Sequence, residues 1–582
     1  MHKPFLWKIG GEAGFGIMTT GLLMAKIATR SGYHIFDYTE YPSLVRGGHN
    51  TYEVVISEEE VHASKKEIDM LVCLNKETYD LHRHRCTPET IMIYDEDMFV
   101  PEHCKGFCLT LPIKKMLLEH KASSVMANTI VLGASLAFLG GKMEIFKNLM
   151  EEIFGRKGQD IVDANVAMAT LGFEYVEKNY AQHTKRILCC QDDKSPRMVI
   201  AGNEAFGMAS VLADCRMFVA YPMTPASSVL TYLASVAEKT GIVVRHAEDE
   251  ISVIHTALGA SFAGVRSSVA TSGGGFALMV ESIAYAGIAE IPIVIFLAQR
   301  PGPATGMPTW TEQGDLLFAV HAGHGDFPKI VLAPGDPLEM MALTLKAYDL
   351  ADMYQLPVIV LSDKFLSESH TDVMLADWEK VIKTYVPNRG KIVDTWDSAE
   401  KYLRYKITDD GISPLLIPGG PGQYYQANSY EHKEDSHTTE DMKERVQQAD
   451  KRAKKIETYL KKDFTPPVVF GDIHQADVVL VSWGGNKGAI MEAQKVLDAE
   501  GIKTAYIHFT HLFPLQREPL EHLYLKGKKY VLIENNQSGQ FGKLLREQTG
   551  FDIQEKLLKY DGQPIFVDDV ITYIKKMNGF KS

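Results

Sequence analysis

A chain of 582 residues, 45% hydrophobic and 23% charged, has the make-up of a water-soluble globular protein of about two to four domains. Its net charge of −13 argues against a nucleic-acid footprint. No apolar run approaches the ~20 residues of a membrane span, and the first residues reach a strand and a glycine turn with no signal-like segment, so no membrane partner and a cytoplasmic location are expected.

In chain order, Trp7-Lys8-Ile9 leads into Gly10-Gly11-Glu12-Ala13-Gly14-Phe15-Gly16. An amphipathic helix is predicted to about Ser31, and His34–Tyr38 reads as the next strand. A glycine-rich strand-to-helix turn can cradle a phosphate on free N–H groups. The GxGxxG spacing of a dinucleotide fingerprint does not emerge. Tyr41-Pro42-Ser43-Leu44-Val45-Arg46-Gly47-Gly48-His49-Asn50 then precedes a β-prone run, Tyr52–Ile56. Arg46 can pair with a phosphate or hold its loop by bonding backbone carbonyls. A polar stretch from about 180 to 197 reads as a linker. The seven cysteines (Cys73, Cys86, Cys104, Cys108, Cys189, Cys190 and Cys215) contain no CxxC pair, and Cys104 with Cys108 lacks a second pair to complete a zinc or iron–sulfur set. Reduced, mostly buried thiols and no metal site are expected in this chain.

Met198–Ala205 reads as a strand, a turn and the start of a helix. Arg216–Ala220 reads as a strand ending at Tyr221-Pro222-Met223-Thr224-Pro225-Ala226-Ser227-Ser228. Two prolines hold Thr224 in a rigid loop, and the serine pair can cap the helix predicted from Val229. A hydroxyl so placed can bond a small anion with little entropy loss, or the stretch is a Pro-rich turn with an N-cap. Glu248-Asp249-Glu250 opens a small-residue helix; acids suit a helix N-terminus. Glu250 shares a face with Ile254, Ala257 and Ser261, where a buried carboxylate must be paired or take up a proton. Ala270-Thr271-Ser272-Gly273-Gly274-Gly275-Phe276 is a strand end turning through three glycines into a helix.

Ile291–Ala298 reads as a strand buried on both faces of a parallel sheet. It ends at Gln299-Arg300, where ligands bind in such sheets; Arg300 either grips a carboxylate or braces the Gly/Pro loop after it. Thr305, Thr309 and Gln313 follow in that loop. Pro357–Leu361 is one more buried strand, expected to close this sheet. From about 385 to 465 the chain is polar, and Glu431-His432-Lys433-Glu434-Asp435 reads as a solvated loop. Inside it, Met442, Val446, Ala449, Ala453, Ile456 and Leu460 form a seam suited to docking on a partner surface. A further α/β unit starts near Ala476, with strands expected at Val478–Val481, Lys503–Ile507 and Tyr530–Ile533.

The loop at 221–227, the acids at 248–250 and the turn at 271–275 resemble the YP-(I/M)-TP-(S/A)-S, Glu-Asp-Glu and Thr-Ser-Gly-x-Gly motifs of the 2-oxoacid:ferredoxin oxidoreductase α subunit. Residues 10–16, 43–50 and 128–134 resemble the γ domain of the same enzymes. The resemblance implies an α/β fold of three α/β domains. These are a γ-type domain at 1–180, a thiamine diphosphate pyrimidine-binding domain at 198–385 and a transketolase C-terminal-like domain at 466–582, with a polar connecting region and docking helix at 386–465. It implies Glu250 as the glutamate on the aminopyrimidine, about nine residues before Gly259, with Thr224 and Arg300 on the substrate. Tyr221, Pro222, Met223, Gly274 and Phe276 would line the cofactor, and Gly14, Gly16, Arg46 and Asn50 would stand near coenzyme A. No Gly-Asp-Gly metal motif occurs in the chain; Gly471-Asp472-Ile473 lacks the second glycine. A separate β subunit is therefore expected to carry the diphosphate, Mg2+ and a [4Fe-4S] cluster, in a dimer of αβ heterodimers that passes electrons to ferredoxin. The γ–α order implies 2-oxoglutarate as substrate, with pyruvate or branched-chain 2-oxoacids as the alternative. Two other classes stay open. One is a nicotinamide-dependent dehydrogenase using residues 10–16 and Asp37; the other is a scaffold using the seam at 442–460.

Overall fold

The computed structural model describes residues 3–43, 47–185, 187–189, 191, 195–396, 400–420 and 424–577. Arg46, Cys190 and residues 192–194 of the expected linker lie outside the described residues. The chain folds into two compact units, residues 1–200 with 369–377 and 566–582, and residues 201–368 with 378–565.

The first unit is built on an eight-stranded mixed sheet. Phe5–Glu12 lies inside it, antiparallel to His49–Ser57 and parallel to Ile68–Cys73. This strand runs on through Gly10 and Gly11, which pair with Thr51 and Asn50. Its Lys8 is fully buried and sits 3.3 Å from both Glu40 and Glu53, so its charge is matched where water is excluded. The helix Ile17–Arg30 follows the glycine turn. Cys73, Cys86 and Cys215 are buried free thiols, but Cys104 and Cys108 form a disulfide, which corrects the expectation of reduced thiols there. The loop before the strand Phe107–Thr110 folds back far enough to bring the two sulfurs together.

The second unit holds two large sheets and a two-stranded one, Ile392–Val393 with Leu415–Leu416. The larger has seven strands in the order His511–Phe513, Ile330–Leu332, Pro357–Asp363, Ile293–Gln299, Arg266–Thr271, Cys215–Ala220, Val243–His246. Six are parallel and His511–Phe513 is antiparallel. Ile293–Gln299 is buried along its whole length, as its apolar run requires. Pro357–Asp363 does not close the sheet, because Ile330–Leu332 and then His511–Phe513 pair beyond it. The five-stranded sheet is centred on Val478–Trp483. One continuous core joins the two, with Ile295 and Val481 among its members.

The helix Met442–Lys462 docks on the face opposite to the one its apolar seam suggests. Gln448, Lys451, Arg452, Lys455 and Thr458 are buried, while Met442 and Val446 are 85% and 57% exposed. The reason is charge. Glu290, at the end of the helix Gly273–Ala289, receives Lys451 and Lys455 at 2.6 Å each, and Arg452 grips Glu431 at 2.7 Å. The two lysines hold the Glu290 carboxyl well below the usual range against the opposing effect of burial. His432 is fully buried rather than solvated, stacked on the Tyr405 ring at 4.1 Å.

Candidate active site

The carboxyl ends of the parallel strands gather Thr224, Glu250, Gly274 and Arg300 at one edge of the seven-stranded sheet. Cys215–Ala220 ends at Tyr221, which is 38% exposed and lies 6.1 Å, ring to ring, from His246 at the end of the neighbouring strand. Pro222 is exposed, and Met223 and Thr224 are half-buried. The helix Ser227–Thr240 starts without a side-chain cap, contrary to the expected serine pair. The Asn203 amide does that positioning instead, donating to the Pro225 carbonyl at 2.7 Å and to Ser228 Oγ at 2.6 Å. The Thr224 carbonyl accepts from Arg300 at 2.7 Å, and no described residue bonds its hydroxyl.

Asp249 caps the helix Glu250–Phe262 by accepting from the Ser252 N–H at 2.8 Å. Glu250 is thereby turned inward and is only 4% exposed. Its Oε1 is buried with no hydrogen-bond partner, and so is Ser272 Oγ. An unpaired buried polar group costs ~1–3 kcal/mol, so a donor is expected from outside the chain. The carboxylate lies on Gly275, where a Cβ would come 2.5 Å from Oε1. Beside it Gly274 is open, with only the Met223 methyl at 4.0 Å from where its Cβ would stand. Phe276 sits below the turn in the core, edge-on to Phe318 at 5.2 Å. A buried, partnerless carboxylate oxygen above a glycine turn fits the ring N–H of an aminopyrimidine.

Arg300 follows the buried Gln299. No carboxylate of a described residue comes within 4.0 Å of its guanidinium. The loop after it returns through Glu312, Gln313 and Asp315. Burial pushes Asp315 up to about 6 against the pull of Arg300. Burial and the charge of Asp315 push Glu312 up to about 7. Gln313 is fully buried, donating to Asp363 at 3.1 Å and accepting from Asn486 at 2.7 Å. Thr305 is exposed, whereas Thr309 is buried.

A family model described as pyruvate flavodoxin/ferredoxin oxidoreductase, thiamine diphosphate-binding, matches residues 208–451, and a second, pyruvate ferredoxin/flavodoxin oxidoreductase, matches residues 6–175. The 2-oxoacid:ferredoxin oxidoreductase subunit alpha of Saccharolobus solfataricus is 31% identical, over 98% of this chain and 97% of that protein. The chain belongs to the 2-oxoacid:ferredoxin oxidoreductases, as an α subunit. The 2-oxoglutarate oxidoreductase subunit KorA of Mycobacterium tuberculosis is 27% identical over 98% of this chain and 90% of its own length. A solved 2-oxoglutarate:ferredoxin oxidoreductase from Magnetococcus marinus, with 2-oxoglutarate, coenzyme A and succinyl-CoA bound, superposes with a TM-score of 0.91 at 31% identity. It covers 99% of this chain and 100% of its own.

In the first unit of this oxidoreductase, Gly14 and Gly16 adopt φ of 99° and 72°, a left-handed backbone that suits glycine. The Asn128 amide fills the place of a Gly16 side chain, and the Ala13 N–H donates to the Gly48 carbonyl at 3.1 Å. The structure thus brings the 10–16 turn, Asn128 and the 47–50 strand entry together, and leaves Asn50 Oδ1 buried without a partner. Sequence reasoning missed Asn203, Ser272, Glu312 and Asp315 at this candidate site. The signal for the acids was their position in the loop that starts at Arg300.

Proposed function

We propose that this α subunit, with a γ-type domain at 1–180 fused to it, catalyses coenzyme A-dependent oxidative decarboxylation of 2-oxoglutarate to succinyl-CoA in the cytoplasm, passing electrons to ferredoxin. The reaction can run in either direction. The observation that carries the reading is Glu250: a buried carboxylate with a partnerless oxygen seated on Gly275. Bound thiamine diphosphate would supply the carbanion nucleophile and the electron sink. Glu250 would hold the aminopyrimidine ring through Oε1 and promote its imino form, Met223 and Gly274 would make the floor, and Tyr221 and Pro222 would line the mouth. Arg300 offers the substrate carboxylate a planar fork that no described carboxylate occupies. The Thr224 hydroxyl bonds the 2-oxo oxygen. A β subunit carries the diphosphate, Mg2+ and [4Fe-4S] cluster, since the chain lacks a Gly-Asp-Gly motif, and two αβ pairs assemble. Coenzyme A approaches the glycine turn at 10–16 beside Asn50.

The choice of 2-oxoglutarate is supported by the full-length relative named for it and by the Magnetococcus marinus enzyme that binds it. Pyruvate is the second reading, favoured by the names of both matching family models. Viologen reduction tests both, with this chain alone and with the smaller chain that copurifies. Activity with 2-oxoglutarate only in the thiamine-loaded mixture supports the proposal; preference for pyruvate replaces the substrate. Glu250→Gln should assemble normally and lose ~10²–10⁴-fold in turnover; full turnover in that variant would sink the reading.

A further inference from the structure

Three consecutive glycines open the helix Gly273–Ala289, and a carboxyl group rests on each outer one. Glu250 lies on Gly275, and Asp315 lies on Gly273, where a Cβ would stand 2.6 Å from Oδ2 and 3.1 Å from Oδ1. Asp315 is fixed from the substrate side. Its N–H donates to Gln299 Oε1 at 2.9 Å, and the same fully buried amide donates to the Ser362 carbonyl at 3.0 Å. Gln299 is the residue before Arg300, so the acid is anchored on the strand end that carries the arginine. Asp315 is the acid whose charge acts on Arg300, yet the two stand more than 4.0 Å apart. Arg300 bonds the Thr224 carbonyl through one nitrogen and leaves the rest of its fork unused among the described residues.

We propose that Asp315 is a positioning residue that sets how strongly Arg300 holds the substrate carboxylate, with Glu312 sharing its negative charge. The inference rests on Arg300 being the carboxylate site. An anion that enters beside Arg300 also nears Asp315. Ionised, Asp315 cancels part of the attraction; protonated, it lets Arg300 act at full strength. The charged groups facing Asp315 are Arg300 from the strand end, Glu312 from its own loop and the positive N-terminus of the 273–289 helix; Gln299 and the nearby Gln540 are neutral. Burial raises both carboxyls, Asp315 to about 6 and Glu312 to about 7, and the charge of Asp315 adds to the rise at Glu312. Substrate binding therefore takes up a proton near pH 7 and weakens as pH rises.

The test uses the assembled, thiamine diphosphate-loaded complex. Calorimetric titration with glutarate, in buffers of different ionisation enthalpy at pH 7, reads proton uptake; the KM for the 2-oxoacid from pH 6 to 8 reads the same linkage during turnover. If the bound anion raises the Asp315 pKa by about one unit, wild-type affinity falls about tenfold between the low- and high-pH limits. Asp315→Asn should bind more tightly than the wild type at high pH, with reduced proton uptake and a shallower KM profile, the remaining slope belonging to Glu312. A wild-type pH slope in Asp315→Asn overturns the proposal. Arg300→Gln separates the two levels: unchanged oxoacid affinity there refutes the site reading itself, whereas lost affinity with an unaltered slope in Asp315→Asn refutes the role of Asp315 alone.

Discussion

Replacing Gly275 by alanine asks whether Glu250 owes its place to a missing side chain. The added Cβ would stand 2.5 Å from Glu250 Oε1 and 2.7 Å from its Cγ, and would overlap Thr271 Oγ1. Non-bonded heavy atoms settle at about 3.5 Å, so the carboxylate must retreat by ~1 Å. Crowding of this kind costs ~1–3 kcal/mol, offset by up to about 1 kcal/mol from alanine's better helix propensity. Stability should therefore drop by no more than ~3 kcal/mol. A ~1 Å error in a catalytic group can cost ~10²-fold in rate. The assay pairs a chemical denaturation curve with coenzyme A-dependent viologen reduction by the assembled complex. Small destabilisation with a ~100-fold loss of turnover is expected. Wild-type turnover would refute the reasoning, and so would a loss of stability large enough to account for the lost activity. Gly259→Ala is the control for stability, since nothing lies within 4 Å of its Cβ position and the 250–262 helix should gain up to about 1 kcal/mol.

Lys451→Met leaves Glu290 short of one of its two buried cations and should cost ~3–5 kcal/mol, read as a shift in urea midpoint; an unmoved midpoint would show that the pair does not hold the helix. His432 is buried neutral, with burial lowering its pKa to about 4. Its unfolded form binds the extra proton first, so stability is complete above about pH 6.5 and falls toward pH 4 by at most ~1.4 kcal/mol per pH unit. His432→Phe keeps the stack on Tyr405 and should flatten that part of the curve; parallel curves for the two proteins would contradict it. Gly16→Ala would displace the Asn128 amide and force alanine into φ of 72°. The KM for coenzyme A should rise about tenfold, the equivalent of one lost hydrogen bond, with the KM for the 2-oxoacid unchanged.

The parallel strands Cys215–Ala220, Ile293–Gln299 and Pro357–Asp363 were legible because each carries a short apolar run next to a proline, whereas Val243–His246 and Ile330–Leu332 carry too little pattern to be read. The burial of Glu250 was legible for a related reason: an acid at the head of an apolar helix conflicts with its surroundings, which makes it a site candidate. The docking face of Met442–Lys462 was not. Its apolar seam obeys the usual period, but its buried lysines meet Glu290, 161 residues away from Lys451, and no local pattern encodes that partner. His511–Phe513 is a three-residue edge strand whose register comes from Val331 and Leu332, too short to announce itself. Asp315 looks like an ordinary loop acid until Gly273 and Arg300 are brought against it, and Glu312 until it is buried near Asp315.

Gln313 has a consequence for how such chains diversify. Its amide meets Asp363 at the end of a strand in the seven-stranded sheet, and Asn486 and the Trp483 carbonyl beside the five-stranded sheet, while its backbone N–H bonds the Asn535 carbonyl. A crossover between two diverged genes that falls within residues 386–465 would inherit one side of this junction from each parent. Asp363 travels with Gln313 and the Trp483 and Asn535 contacts are backbone carbonyls, so a mismatch falls at Asn486 and would strand the buried Gln313 amide at ~1–3 kcal/mol, a large fraction of a domain's margin. Recombination should spare that interval unless both parents carry the Gln313–Asn486 pair, so the stretch from the glycine turn to the last sheet is inherited as one block.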